Sequence, residues 1–329
     1  MTDQPEKRPT LRSLAEITGL GISTVSQALR DSPEIALETR KRVHLAAQQA
    51  GYRPNRAGVR LRTGKTHVIT LVLNPQESGS GFFSNMIYGI SDALAGTAYH
   101  LVVTPYSLSD PMAPIRYIVE TNSADGVIIS RITPDDPRVR YMSDNNMPFA
   151  THGRTDMGVE HCYFDYDNEA YAIEAVRLLA EQRRKRVVLF APPPNLNYYR
   201  HTLQGFETGL RRYGLVGTIV SSINSDATAE EHRHAAFELT RHAEIPDGII
   251  CTSTSLAFAV STGLKDGGLE MGRDYDLVAK PATDLSRLLL PKLIAINEDF
   301  RQAGFELAKM LIRRLDGAAT ADLQKIVGP

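Results

Sequence analysis

From Val68 onward, short apolar runs alternate with longer segments of mixed polarity. VITLVL, HLVVT, GVIIS, PFATH, VVLF, TIVSS, GIIC, DLVA and LIAI are mostly apolar and of strand length, the texture of strands covered on both faces. Between them, SNMIYGISDALAG, NEAYAIEAVRLLAEQ and TLQGFETGLRRYG space their apolar residues as helices do. This alternation predicts parallel sheets with helices on both faces. ADGVIIS at 124–130 returns as PDGIICTS at 246–253, which predicts two doubly wound lobes; the period is too long for a solenoid.

Residues 10–62 have a different rhythm. Thr10 is placed to cap a helix with Leu11, Leu14 and Ala15 on one face, ending near Gly19, whose missing Cβ suits a tight turn. Gly21 can cap a second helix, ISTVSQALR, with Val25 and Leu29 facing inward, and DSP then breaks the chain. A third helix from about Ala36 to Ala50 carries Val43, Ala47 and Ala50 on one stripe and stops at Gly51. Two short helices joined at a glycine and braced by a third predict a helix-turn-helix. Its outward face offers Ile22, Ser23, Thr24, Ser26 and Gln27, small and amide side chains that can enter a major groove. Three-helix pieces that bind nothing share this pattern.

Charge sharpens the contrast. Residues 1–65 hold twelve Lys/Arg against six Asp/Glu, whereas the remainder holds 25 against 32. The stretch YRPNRAGVRLRTGKTHV, residues 52–68, has five basic side chains and no carboxylate. A basic head on an acidic body points to a polyanion for the head, although a solvated linker would carry the same charge. Nothing approaches eighteen consecutive apolar residues, so no membrane helix is expected. The polar start MTDQPEKRPT is unlike a secretory leader, and Cys162 and Cys251 lie in or beside apolar runs as buried thiols would. A cytoplasmic, nucleoid-associated protein is expected. No G-x-x-x-x-G-K-[ST], H-E-x-x-H or G-x-S-x-G occurs, and Thr63-Gly64-Lys65 precedes a strand where a phosphate loop would follow one. His232 and His234 sit two apart in a polar helix without further ligands. No enzyme, metal or cofactor is expected.

Residues 10–66, TLRSLAEITGLGISTVSQALRDSPEIALETRKRVHLAAQQAGYRPNRAGVRLRTGKT, resemble the DNA-binding head and hinge of the lac repressor family of bacterial transcription regulators. TVS, TR-x-RV-x2-AA and GY-x-PN recur in order, ahead of a hinge that ends in Leu61. The resemblance implies DNA contacts from Thr10, Leu11, Ile22, Ser23, Thr24, Ser26, Gln27, Arg30, Tyr52, Asn55, Arg56, Gly58, Leu61 and Arg62. Leu61 falls where the family wedges a leucine into the minor groove, with Arg56, Arg60 and Arg62 beside it to meet phosphates. Tyr52 and Asn55 match positions that support or contact the DNA backbone.

There are departures. Gly58 stands where alanine is usual, which lowers hinge helix propensity by about 1 kcal/mol and implies a hinge more disordered off DNA. Gln27 replaces a frequent arginine, which moves base preference from guanine toward adenine. Ala36 stands where a capping serine is common.

The body resembles the effector-binding core of the same family, similar in fold to periplasmic sugar-binding proteins. Ligands of such cores lie between the lobes at the C-terminal ends of strands. That rule selects Asn74, Phe82, Phe83, His152, Arg154, Asp165 and Ser253, while Phe300 in INEDF matches an aromatic able to stack on a sugar face. Phe82 or Phe83 fits the core equally well, Asp165 can bond backbone, and Asn74 can make a turn. Thr202 stands where the family commonly has an arginine, with Arg200 and His201 just before it. LVAKPATD puts Lys280 and Pro281 where the family has a sugar-binding aspartate. Arg154, Arg200 and Lys280 together favour an anionic ligand, a sugar acid or phosphorylated sugar, unless Lys280 faces solvent.

The expected fold class is α/β, a small all-α helix-turn-helix head on a two-lobed, doubly wound parallel-sheet core like that of periplasmic binding proteins. The expected boundaries are 1–9, a disordered N-terminus; 10–54, the DNA-binding head; 55–65, hinge helix and linker; and 66–329, the core. Its N-lobe would take about 66–163 and 297–321, and its C-lobe about 164–296 and 322–329. The implied protein is a homodimeric repressor that binds double-stranded DNA at a palindromic operator and answers to a sugar, sugar acid or sugar phosphate. No C-terminal heptad run for tetramers is visible. A ligand-dependent activator or a corepressor-type regulator fits the same architecture. A solute-binding protein would have no use for the head, and an enzyme lacks a catalytic set.

Overall fold

The computed structural model describes residues 9–53, 58, 60, 63–74, 81–107, 109–281 and 288–329. Asn55, Arg56, Leu61 and Arg62, and with them the expected wedge, lie outside the described residues. The chain divides into two units at Thr66 and His67.

In the first unit, α1 (Leu11–Thr18) begins at a reciprocal cap: Ser13 N donates to Thr10 Oγ1 at 3.2 Å and Thr10 N donates to Ser13 Oγ at 3.0 Å. It ends at Gly19, whose φ of 65° needs no Cβ. Helices α2 (Ile22–Ala28) and α3 (Leu37–Gln49) follow. Leu14, Val25, Ala28, Val43, Ala46 and Ala47 form the core. The buried stripe of α3 thus runs through Val43, Ala46 and Ala47, with Ala50 at its margin.

The second unit holds two parallel sheets. The first contains β1 (Val68–Leu73), β2 (His100–Pro105), β3 (Gly126–Ile129), β4 (Phe149–His152), β5 (Cys162–Tyr166) and β11 (Gln324–Val327), in the order β11-β5-β4-β3-β1-β2. The second contains β6 (Arg186–Phe190), β7 (Val216–Ile219), β8 (Gly248–Cys251), β9 (Asp276–Ala279) and β10 (Ile294–Ala295), in the order β10-β9-β8-β6-β7. The repeated A/P-D-G pieces fall on β3 and β8, which hold equivalent places. Asp125 Oδ2 accepts from His67 N at 2.9 Å, and Asp247 Oδ1 accepts from Lys185 N and Arg186 N at 2.9 and 2.7 Å. Each aspartate ties down the start of the neighbouring strand, β1 or β6.

Helices cover the sheets closely. A Cβ at Gly89 in the helix Phe82–Leu94 would lie 1.9 Å from Arg301 O of the helix Phe300–Leu315. In the second lobe, a Cβ at Gly205 in Asn197–Tyr213 would lie 2.2 Å from Glu169 O of Asn168–Glu181. Both glycines let backbones touch where a methyl group would separate them.

Two expected lobe boundaries are corrected. Phe164, Asp165 and Tyr166 continue β5 of the first sheet, and β11 pairs with β5 from Gln324↔Tyr163 to Val327↔Tyr166. Residues 324–327 therefore belong to the first lobe, where 322–329 had been expected in the second. Leu323, fully buried in the first lobe's core, delivers the chain to the sheet edge. The strand after it is short and half exposed, so no apolar run announces it. The chain crosses between the lobes near 166–168 and again near 296–300.

Candidate functional site

On the head, Ile22 is 49% exposed and Ser23 is exposed at the opening turn of α2. Thr24, Ser26 and Gln27 are half-buried on the next turn, and exposed Arg30 donates from Nε to Ser26 O at 3.0 Å. Thr10 caps α1, while Leu11 and Tyr52 pack against the head's core. Gly58 is exposed. No Asp or Glu occurs between Thr39 and Gln76, although Lys41, near the start of that stretch, pairs with Glu38 at 3.4 Å. Short polar side chains beside fixed positive charge can read base edges while phosphates hold the register.

In the core, a cavity opens between the lobes at the strand ends. Phe82, His152, Arg154, Asp165, Ser253, Lys280 and Phe300 line it. Phe82 opens its helix, His152 ends β4, and Arg154 follows Gly153, whose φ is 100°. Ser253 also accepts from Leu256 N at 3.4 Å, capping the helix Thr254–Asp266. Asn74, Phe83 and Arg200 are not among the lining residues. Asn74 is buried after β1, Phe83 packs on the first lobe's core, and Arg200 pairs with Asp156 at the surface.

One wall is aromatic. The Phe82 and Phe300 rings meet edge-on at 5.0 Å, and His152 lies 5.4 Å from Phe82 and 6.1 Å from Phe300. The other walls hold cations already matched by anions. Arg154 Nη1 lies 3.2 Å from Asp165 Oδ2. Lys280, 6% exposed, donates from Nζ to Glu298 Oε2 and Asn168 Oδ1, both at 2.7 Å, and faces the rings of Tyr166 and Tyr171 at 4.2 and 4.6 Å. Arg131 pairs with Asp226. The expectation of a free anion-binding charge at Lys280 is therefore not met: the ammonium turns inward, and a carboxylate holds it.

Titration follows from burial. Burial pushes Asp165 up to about 7, with Arg154 opposing and Glu298 reinforcing. Burial holds the His152 imidazole below its usual range even though Glu298 lies 3.6 Å away, and burial with nearby Arg154 does the same to His201. Three buried polar atoms on this cavity have no hydrogen-bond partner: His152 Nε2, Arg154 Nη1 and Asn197 Oδ1. Arg154 thus attracts Asp165 by charge, without a well-aligned hydrogen bond. A ligand bearing several hydroxyl groups can both donate and accept at such atoms.

Sequence reasoning missed Arg131, Tyr166, Asn168, Asn197, His201, Asp226 and Glu298 as cavity residues. Arg131 immediately follows the GVIIS run, so the strand-end rule reaches it. Glu298 lies within the INEDF stretch that supplied Phe300. Asn197 opens the helix Asn197–Tyr213 and Asp226 comes from a loop, and only the tertiary fold brings either to the first lobe.

Comparison with known proteins places this architecture. Residues 66–325 match the model for periplasmic binding proteins and the sugar binding domain of the LacI family, and residues 10–55 match that for bacterial regulatory proteins of the lacI family. The chain belongs to the LacI family. The HTH-type transcriptional regulator AglR of Rhizobium meliloti (strain 1021) is 32% identical over 313 residues, covering 92% of this chain and 86% of its own. CelR of Thermobifida fusca is 25% identical over 329 residues, covering 98% and 96%. Among solved structures, the lac repressor dimer bound to operator and the anti-inducer ONPF aligns with a TM-score of 0.83 at 19% identity, covering 98% of this chain and 97% of that one. A CelR–cellobiose complex aligns at 0.71 with 24% identity, covering 98% and 97%. These two likenesses establish the fold, a helix-turn-helix head with a periplasmic-binding-protein-like core. As a LacI-family regulator, the chain acts in transcription through its DNA-binding head. Among the described residues, no helix is long and apolar enough to cross a membrane, and no group of side chains is arranged to hold a metal ion.

Proposed function

We propose that this LacI-family chain is a homodimeric repressor of a palindromic operator, controlled by a neutral sugar bound between the lobes of its core. One observation carries the effector class. Arg131, Arg154 and Lys280 each face their own carboxylate, Asp226, Asp165 and Glu298. A phosphate or carboxylate ligand would find Arg131 and Lys280 already compensated by Asp226 and Glu298, which would repel it, leaving Arg154 beside Asp165, whose pKa is raised to about 7. A neutral polyol would instead serve the buried donors and acceptor of His152, Arg154 and Asn197, with an apolar sugar face on Phe82 and Phe300. The ground for a sugar acid or sugar phosphate rested on Arg154, Arg200 and Lys280, of which Arg200 is not among the lining residues. The cellobiose bound by CelR supports a neutral oligosaccharide.

The protein works in the cytoplasm as a regulator and performs no catalysis. Ligand binding changes the angle between lobes and so the spacing of the two hinges in the dimer. Coupling of this kind is typically about 1–3 kcal/mol. Leu61, Arg56 and Arg62 engage the minor groove only when both hinges meet, while Ile22, Ser23 and Gln27 read the major groove. Thermal unfolding of the full chain against neutral disaccharides, with sugar phosphates and sugar acids in parallel, tests the effector class. A specific sugar at 100 times its Kd adds about 2.7 kcal/mol of stability, and Arg154→Ala removes that gain. Stabilisation by the anionic sugars alone would sink the neutral reading.

A further inference from the structure

The lobes are joined by more than their two chain crossings. Arg131, the second residue after β3, has φ 54°, a left-handed conformation that a non-glycine side chain adopts only at a cost. The fold holds it there. Arg138 Nη2 donates to Arg131 O at 2.8 Å and to Ser130 O at 3.1 Å, and Asp136 grips Arg138 through Nε at 3.0 Å and Nη2 at 2.7 Å. Asp136 and Arg138 are both deeply buried.

So positioned, the Arg131 guanidinium leaves its own lobe and meets Asp226 of the other. Nη1 donates to Oδ1 at 2.9 Å, and Nη2 donates to Oδ2 in a second, parallel bond. The two side chains are 12% and 22% exposed, enough shielding for a bidentate pair to be strong. Asp226 is fixed in turn, its N donating to Asn224 Oδ1 at 2.9 Å. Beside it, Asn197 N donates to Ile132 O at 2.8 Å and Asn197 Nδ2 to Arg154 O at 2.8 Å, and Arg200 pairs with Asp156, further links from lobe to lobe. A turn that served the first lobe alone would be met more cheaply by glycine or asparagine. The arginine is explained by what it reaches.

We propose that Arg131 and Asp226 form a latch that holds the lobes closed over the cavity without ligand. Opening the lobes to admit a ligand breaks the pair. The latch stands on geometry alone; its regulatory meaning rests on the reading of the cavity as the effector site.

Double electron–electron resonance on the full, ligand-free chain tests it. Spin labels at Asp135→Cys and Glu230→Cys report across the rim from exposed positions, and Cys162 and Cys251, 1% and 0% exposed, stay unlabelled. With the natural pair, and the labelled chain diluted in excess unlabelled chain so that a dimer carries at most one labelled protomer, one narrow distance is expected. Asp226→Ala, and Asp226→Asn as a closer isostere, shift the distribution to longer and broader distances. The charge-reversed pair Arg131→Asp with Asp226→Arg restores the narrow distance, since aspartate tolerates the left-handed backbone. Identical distributions for the natural pair and both single variants overturn the latch, as does failure of the reversed pair to close. No DNA or sugar enters the measurement, so a failed latch leaves the regulator reading intact, and the converse holds.

Discussion

Lys280 is fixed by four partners, Glu298, Asn168 and the faces of Tyr166 and Tyr171. Its charge is part of the frame where the chain crosses between lobes. Lys280→Met leaves Glu298 buried without a counter-charge and is expected to cost about 3–5 kcal/mol in urea unfolding. Lys280→Met combined with Glu298→Gln is expected to recover most of that loss, because no uncompensated charge remains. Asp165 makes a second prediction. Its pKa is raised to about 7, so the folded state holds its proton more tightly than the unfolded chain does. The stabilising contribution is complete below about pH 4 and is lost as pH rises through about 7. His152 and His201, both shifted down, act oppositely: their contribution is lost as pH falls below the usual histidine value. The difference between the natural chain and Asp165→Asn isolates the carboxyl. Chemical unfolding should show the natural chain losing stability relative to that variant from pH 4 to pH 8, by roughly 4 kcal/mol at most. At this scale the sequence showed residue types at strand ends but not their partners. Lys280 was legible as a departure; that Glu298, 18 residues away, neutralises it depends on where the second crossing returns.

At the scale of elements, punctuation and apolar runs carried most of the fold. Thr10, Gly19 and Gly21 mark the ends of α1 and α2 where they occur, and the apolar runs fall on strands. Strand β11 escaped because four half-exposed residues have no period to read, and TIVSS misplaced β7, which starts two residues earlier, at Val216. Close helix contacts escaped too, since glycine inside a helix reads only as a weak helix former. Gly89→Ala would drive Cβ into Arg301 O and should lower stability by at least about 1–3 kcal/mol, read as a fall in Tm. Gly58 is the contrasting case. A Cβ there meets nothing within 4 Å, so Gly58→Ala should favour the hinge helix by about 1 kcal/mol. Binding to a selected DNA site is then expected to tighten about fivefold per protomer.

For the whole molecule, division of charge between head and core was legible from counting alone, and it sets a basic head apart from the acidic core in which a neutral ligand is proposed. The balance of charge inside the cavity was not, because Arg131–Asp226 and Lys280–Glu298 join residues far apart in sequence. The central claim is that sugar occupancy of the core changes DNA binding by the head. The most direct test is fluorescence anisotropy on a duplex that the full chain itself selects from a random pool, with and without cellobiose and other neutral disaccharides. A palindromic site should bind at least about 10³-fold tighter than unselected DNA, and one sugar should change that affinity about 5- to 150-fold. Recovery of no palindrome, or an affinity unmoved by a sugar that stabilises the protein against heat, would contradict the account.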